Sequence, residues 1–158
     1  MHPETWQFFE SGQFFDCRAI ADYGPDPDGF LDEREPISGH LPVWLPLLHF
    51  TEVIEFAGRL QRAHFAEERL NVNLALHNFR RFVLVVAHRS RSGLHDTYAY
   101  NDNVWDYEIL LSPEDGLINP RELAVDAALD LLHRFNWRGV TREILQGLQI
   151  EAFGPDPH

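Results

Sequence analysis

The stretch that decides the fold is RLNVNLALHNFRRFVLVVAHRSR, residues 69–91. Apolar side chains alternate with polar or small ones from Leu70 to Leu76, and an unbroken apolar run extends from Phe82 to Ala87. Alternation of this kind is typical of a strand with one buried face, and two adjacent runs are typical of a strand pair. We therefore predict strands at 69–77 and 80–88, joined as a hairpin through the turn at residues 77–80.

Pairing centred on that turn gives the hairpin one continuous apolar face. The register places Leu70 opposite Ala87, Val72 opposite Val85, and Leu74 opposite Val83. The second strand is apolar on both of its faces, which is typical of a strand in the middle of a sheet. A slip of one residue would exchange the two faces.

The same stretch is the cationic part of an acidic chain. It contains five arginines and no acid, whereas the whole chain carries a formal charge of −12 at pH 7. A field of this sign disfavours non-specific binding to nucleic acid and favours a basic protein partner, although solubility alone is a sufficient reason for it.

Length and composition predict one globular domain over residues 1–158, because 44% of the residues are hydrophobic. The single cysteine, Cys17, cannot form an internal disulfide, and we expect it to be a buried thiol inside a strand. The first residues lack the basic and apolar regions of a signal peptide, and no apolar run has membrane-spanning length. We therefore expect a cytoplasmic protein without a membrane partner.

All 13 basic residues are arginine. The absence of lysine excludes a phosphate-loop nucleotide site, a Schiff-base lysine and a pyridoxal attachment site, because each needs an ammonium group. We expect no cofactor. Codon bias in a GC-rich, bacterial genome is a sufficient explanation for the missing lysine.

The remaining elements follow from periodicity and from capping signals. Thr51 is a candidate N-cap, Asn119-Pro120 is a strong helix start, and Thr141 begins the last helix. The sequence thus predicts an α+β fold in which a mainly antiparallel sheet of about four strands is covered by helices. The predicted strands are 13–22, 69–77, 80–88 and 104–111, the helices are 50–65, 119–135 and 141–152, and 24–46 is a long acidic loop rich in proline and glycine.

The arginines of the predicted hairpin are the first candidate binding site. Guanidinium groups interleaved with aromatic rings could hold phosphates and stack a base, or could simply be solvated or paired with acids of the same chain. In an acidic protein they favour a carboxylate-rich surface, either of another protein or of a second copy of this chain, over nucleic acid. The candidate partner-binding residues are Phe79, Arg80, Arg81, Arg89, Arg91 and Trp105.

A second candidate site lies between residues 95 and 108, where imidazole and carboxylate groups could bind a divalent cation that activates water. The spacing matches no closed metal-binding pattern, and solvated loop acids are the simpler interpretation. The residues of this alternative are His95, Asp96, Asp106 and Glu108.

The sequence favours a non-enzymatic interaction protein, either an accessory subunit or an inhibitor of the immunity or antitoxin type. Charge segregation and the strand that is apolar on both faces motivate this hypothesis. Two alternatives stay open: a metal-dependent hydrolase using the 95–108 loop, and a module that binds nucleic-acid phosphates through the arginines of 80–91.

Overall fold

The computed structural model describes residues 4–9, 13–19, 37–63, 69–86, 94, 96–112 and 119–155. Within these residues the chain is α+β. In chain order the elements are β1 (Glu4–Phe8), β2 (Phe14–Arg18), β3 (Gly39–Pro42), α1 (Trp44–Arg62), β4 (Leu70–His77), β5 (Phe82–Val85), β6 (Val104–Leu111), α2 (Pro120–Arg134) and α3 (Arg142–Phe153). None of the helices described has both the length and the apolar character needed to cross a membrane.

Helix α1 begins earlier than the sequence predicts, at Trp44 rather than at residue 50. Pro46 lies in its first turn, where a backbone N–H would have no acceptor within the helix, so the proline is tolerated. Thr51, the predicted N-cap, lies instead inside the helix, and its buried hydroxyl donates to the Leu47 carbonyl at 2.7 Å. Residues 44–46, which the sequence analysis assigns to the loop 24–46, are therefore helix, and so are residues 47–49, for which it predicts no element.

Helices α2 and α3 begin at the predicted capping residues. The Asn119 side chain accepts a hydrogen bond from the Arg121 N–H at 2.9 Å, and Pro120 is the first helical residue. The Thr141 hydroxyl accepts from the Ile144 N–H at 3.4 Å. Both helices match their predicted ranges to within one residue at each end, because capping signals are local in the sequence.

The predicted hairpin between 69–77 and 80–88 is wrong. Strand β4 pairs with β6 in antiparallel register, so that Leu70 lies opposite Leu111 and Val72 lies opposite Ile109. Both strands bury alternate residues and expose the others. Two strands that each have one buried face form one amphipathic sheet when they pair. Strand β5 is apolar on both faces, so it requires packing partners on both of them.

Strand β5 has backbone hydrogen-bond partners on both sides, and neither of them is the predicted partner β4. It pairs in parallel with β3 on one side. On its other side the Leu84 N–H donates to the Tyr98 carbonyl at 2.9 Å, and the Tyr100 N–H donates to the Phe82 carbonyl at 2.9 Å. The mainly antiparallel sheet of about four strands is not confirmed, because the described strands form three pairs, of which β3–β5 is parallel.

Two strands lie where the sequence analysis predicts none. Strand β3 and the start of α1 fall inside the predicted loop 24–46, whose residues 24–36 lie outside the described chain. Strand β1 forms an antiparallel pair with β2, which is shorter than the predicted strand 13–22. The paired residues of β3 and β5 are 43 positions apart in the chain, for example Gly39 and Phe82, so this parallel pairing leaves no local sequence signal.

The β1–β2 pair packs on the outer side of α1. The Phe14 ring lies 4.8 Å from the Phe56 ring, and Arg18 forms an ion pair with Glu52 at 2.9 Å. Alternate residues of β2 face away from the helix, and Cys17 is one of them. The prediction of a buried thiol is therefore wrong, since Cys17 is exposed.

The core lies between the three helices and the inner faces of the strands. The Trp105 ring of β6 stacks on the Phe50 ring of α1 with centroids 5.3 Å apart. The buried Arg121 of α2 pairs with Glu55 of α1 at 3.2 Å and donates to the Gly154 carbonyl at 2.8 Å. A guanidinium group buried in this way needs such partners, and they tie α2 to α1 and to the end of α3.

Candidate functional site

The turn between β4 and β5 adopts an unusual backbone conformation. Asn78 and Arg81 have φ angles of 63° and 68°, in the left-handed region. The Phe79 N–H donates to the Asn103 carbonyl at 3.1 Å, and the Arg81 N–H donates to the Tyr100 carbonyl at 2.8 Å. For an arginine this conformation costs roughly 1–2 kcal/mol. These backbone bonds hold the turn in it and lead the chain away from β4 into β5.

Aromatic side chains beneath the turn connect it to the C-terminal end of α2. The Phe79 ring stacks on the Phe82 ring at 4.6 Å and meets the Phe135 ring edge-on at 6.4 Å. The Tyr100 and Phe135 rings lie 5.0 Å apart. The next residue, Asn136, is also left-handed, with φ 65°. Residues 78–82, 98–100 and 133–138 therefore meet near the C-terminal end of α2, and we call this cluster the arginine end.

Four arginines belong to the arginine end. Arg80 and Arg138 are exposed, and neither side chain makes a hydrogen bond or an ion pair among the described residues. Arg134 lies 3.8 Å from Asp130, and Arg81 is half-buried. Backbone strain of the kind seen at Arg81 is concentrated at functional sites in proteins generally. The geometry presents guanidinium groups on a rigid turn, which suits recognition of carboxylate or phosphate groups.

The predicted partner-binding residues are only partly brought together here. Arg80 and Arg81 lie in the turn, while Arg89 and Arg91 lie outside the described residues. Phe79 is 3% exposed and forms the floor of the turn rather than its surface. Neither it nor the equally buried Trp105 presents area to a partner.

Trp105 has a structural role inside the chain. Its side chain is 3% exposed, and its indole N–H donates to the Asp130 carboxylate at 2.8 Å. Its ring also stacks on Tyr107 with centroids 5.9 Å apart. The buried indole is thus satisfied by an acid of α2, as a buried donor requires.

The residues of the alternative metal site do not form a cluster in the described chain. Asp106 and Glu108 project from the exposed face of β6, where the Glu108 carboxylate accepts a hydrogen bond from the Asn71 amide. Asp96 is exposed and His95 lies outside the described residues. Among the residues that the structure describes, no group of three or more histidine, cysteine, aspartate or glutamate side chains could hold a metal ion.

Arg134 and Arg138 were not candidates in the sequence analysis. Arg134 is the last residue of α2 and Arg138 follows the helix, and both lie more than 50 residues after Arg80 in the chain. Their nearness to the turn depends on the packing of Phe135 against Phe79 and Tyr100. The sequence feature that could have indicated them is the pair of arginines on either side of Asn136-Trp137, at the end of a helix with many apolar residues.

Within the described residues the fold is α+β, with three helices over small strand pairs, and the arginine end carries the exposed Arg80 and Arg138. Comparisons with protein-family models, with curated proteins and with solved structures found no match.

Proposed function

We propose that the protein is a non-enzymatic interaction module, an accessory subunit or an inhibitor of the immunity or antitoxin type. In this proposal it docks on a carboxylate-rich surface of a protein partner through the arginine end. The supporting observation is the state of Arg80, which is exposed, has no side-chain partner among the described residues, and lies beside a strained arginine.

The ion pairs formed by other arginines of the chain show why the exposed Arg80 side chain is unusual. The chain has 25 acidic residues against 13 arginines, so a guanidinium group has many possible partners within the molecule. Arg18, Arg121 and Arg142 each bind carboxylates of the same chain. Among the described residues no carboxylate binds the Arg80 or Arg138 side chain, so within that part of the chain their charge is not neutralised by an ion pair. Bidentate binding of a carboxylate is the interaction that an exposed guanidinium group performs best.

Binding of nucleic-acid phosphates through the same arginines is the second candidate. Its support is the same cluster of guanidinium groups, which would fit phosphate oxygens as well as carboxylates. Phe79 and Phe82, the aromatic residues that flank Arg80 and Arg81 in the sequence, are 3% and 0% exposed and cannot stack a base. The net charge of −12 also opposes a polyanion, so we favour the protein partner.

Co-purification with charge-reversal variants tests the proposal. Tagged protein is recovered at low salt from a nuclease-treated native lysate of the source organism, as wild type, as Arg80→Glu/Arg138→Glu and as Arg62→Glu/Arg69→Glu. The second pair is a matched control, because Arg62 and Arg69 are exposed arginines outside the arginine end. We expect an acidic partner with the wild type and the control, and at least about a tenfold loss with the first pair.

Two results would contradict the proposal. Equal recovery with Arg80→Glu/Arg138→Glu would remove the arginine end as the docking surface, and a wild-type protein that retains no partner would remove the interaction module itself. A partner that is recovered from an untreated lysate but not from the nuclease-treated one, and whose binding falls steeply with salt, would favour the phosphate-binding alternative.

A further inference from the structure

The outer side of α3 carries apolar residues that the chain does not cover. Ile144 is 41% exposed and Ile150 is 54% exposed. Gly147 lies midway between them and is also exposed. Residues three apart in a helix lie on neighbouring positions of one side. The three residues therefore form a continuous surface, which we call the α3 face.

The position of α3 in the fold does not depend on the α3 face. Its opposite side is buried through Leu145, which is 0% exposed, and Gln149, which is 2% exposed. Gln149 donates to the Thr51 hydroxyl of α1 at 2.8 Å and to the Arg121 carbonyl of α2 at 3.1 Å. Contacts of the inner side therefore hold α3 in place, and the two exposed isoleucines contribute little to its packing.

Gly147 is the least expected residue of the α3 face. Glycine inside a helix is less stable than alanine by about 1 kcal/mol. Within the part of the chain that the structure describes no compensating contact is found, since a Cβ atom built on Gly147 would meet nothing within 4 Å. In natural proteins, positions that break a local rule without a gain in the folded chain are expected mainly at functional or strained sites. The missing side chain lowers the surface between the two isoleucines, where the backbone of a second helix could approach closely.

The charges around the α3 face determine which helix fits. The Glu143 carboxylate accepts hydrogen bonds from the Thr141 hydroxyl and from its own backbone N–H, and these bonds lower its pKa, so it is ionised at neutral pH. Glu151 also lies on the exposed part of the helix. The neighbouring cation, Arg142, is bound to Glu122 at 2.7 Å and to Asp126. An apolar stripe with an acidic rim complements an apolar stripe with a basic rim.

A second copy of the chain fits this surface poorly. A symmetric antiparallel pair centred on Gly147 would bring Glu143 of one copy beside Glu151 of the other. Like charges in such positions are destabilising, and each copy carries a formal charge of −12.

We propose that the α3 face, formed by Ile144, Gly147 and Ile150, docks an amphipathic helix of a basic protein partner. The helix crosses α3 at Gly147, and its lysine or arginine side chains flank Glu143. This surface differs from the arginine end and has the opposite electrostatic preference. A negative result for one docking surface would therefore not count against the other.

The test uses the full chain and a displayed library of amphipathic helices of about 20 residues, a length typical of helix-in-groove ligands. All members share a leucine and alanine stripe, and their flanking positions vary among lysine, glutamine and glutamate. We expect selection to enrich lysine flanks. Affinity for the selected peptides should fall at least about tenfold with Ile150→Gln, as for a central interface residue.

Two further variants separate a shaped surface from a merely apolar one. Gly147→Leu adds apolar area, so it should strengthen non-specific adhesion but weaken, again by at least about tenfold, a helix that crosses closely at Gly147. Leu110→Gln is the matched control, because Leu110 is 51% exposed on the outer side of β6 and should leave affinity unchanged. Circular dichroism of each variant checks that the fold is retained.

Four outcomes would overturn the inference. They are equal enrichment of glutamate flanks, selection of no peptide, undiminished affinity of Gly147→Leu, and sedimentation of the wild type as a dimer that Ile150→Gln converts to a monomer. The last outcome would assign the α3 face to a second copy of the chain.

Discussion

The Gln149 side-chain amide donates to the Thr51 hydroxyl at 2.8 Å, although the two residues are 98 positions apart in the chain. The hydroxyl itself donates to the Leu47 carbonyl at 2.7 Å. The same amide nitrogen also donates to the Arg121 carbonyl at 3.1 Å. Thr51 is 0% and Gln149 is 2% exposed, so a polar contact inside the core joins all three helices.

Replacing Thr51 by valine should destabilise the protein by about 1–3 kcal/mol. The substitution keeps the volume but removes the acceptor of the buried Gln149 amide, and an unpaired buried donor costs its full desolvation penalty. Urea denaturation at pH 7 measures the change in the free energy of unfolding.

The double variant Thr51→Val/Gln149→Leu should cost less than the sum of its single variants, by roughly 0.5–3 kcal/mol, because it removes both partners together. A strictly additive double variant would show that the contact between Thr51 and Gln149 contributes nothing to stability.

The Trp105 indole and the Asp130 carboxylate form a second contact whose loss should be measurable. Asp130→Ala leaves the buried indole N–H unpaired and should cost about 1–3 kcal/mol, whereas Asp130→Asn keeps an oxygen acceptor and should cost less. Arg134→Ala is the control for the exposed ion pair with Asp130 at 3.8 Å, and its loss should cost at most about 1 kcal/mol. Equal stability of Asp130→Ala and the wild type in thermal denaturation would contradict the assignment.

The two central glycines of the helices should respond differently to alanine. Gly147→Ala should stabilise the isolated protein by about 1 kcal/mol, since nothing lies within 4 Å of the new Cβ atom. Gly58→Ala should gain less, because its Cβ atom would lie 3.4 Å from the Pro120 side chain where α1 and α2 approach. Chemical denaturation of both variants under one set of conditions makes the comparison. A larger gain at Gly58 than at Gly147 would contradict the packing described for α1 and α2.

The helix starts could be predicted because their signals lie within a few residues. Asn119, Pro120 and Thr141 each act on backbone groups next to them in sequence. The start of α1 was predicted incorrectly. Pro46 lies in its first turn, and a proline can either end a helix or occupy its first turn.

Strand pairing and the arginine end could not be predicted, because both depend on contacts between distant residues. Strands β4 and β5 are neighbours in the chain and both are apolar, yet β4 pairs with β6, whose single buried face matches its own. Likewise, Arg80 and Arg138 both belong to the arginine end only because Phe135 packs against Phe79. Alternation in the sequence indicates which residues face inward but not which strand lies alongside.

The protein should lose stability in alkaline solution through two tyrosines. Burial, followed by the charge of Asp102, raises the pKa of Tyr100 above its usual value of 10.0. Burial, followed by the charge of Asp126, raises the pKa of Tyr107 in the same way. In the folded protein both phenols hold their protons at pH values where the unfolded chain has released them. Stability from this source is therefore complete below pH 10 and is lost as the pH rises from about 10 through the raised values.

Tyr107→Phe should make the alkaline loss of stability smaller, because one of the two titrating groups is gone. At pH 7 its stability should stay close to that of the wild type. Tyr100→Phe should also reduce the alkaline loss, but it removes the hydrogen bond from the phenol to the Val104 carbonyl at 3.1 Å and should cost about 0.5–1.5 kcal/mol at pH 7. Denaturation curves between pH 7 and about pH 11.5 measure both effects. If the wild type and Tyr107→Phe lose stability equally above pH 10, the phenol of Tyr107 is not desolvated in the folded protein.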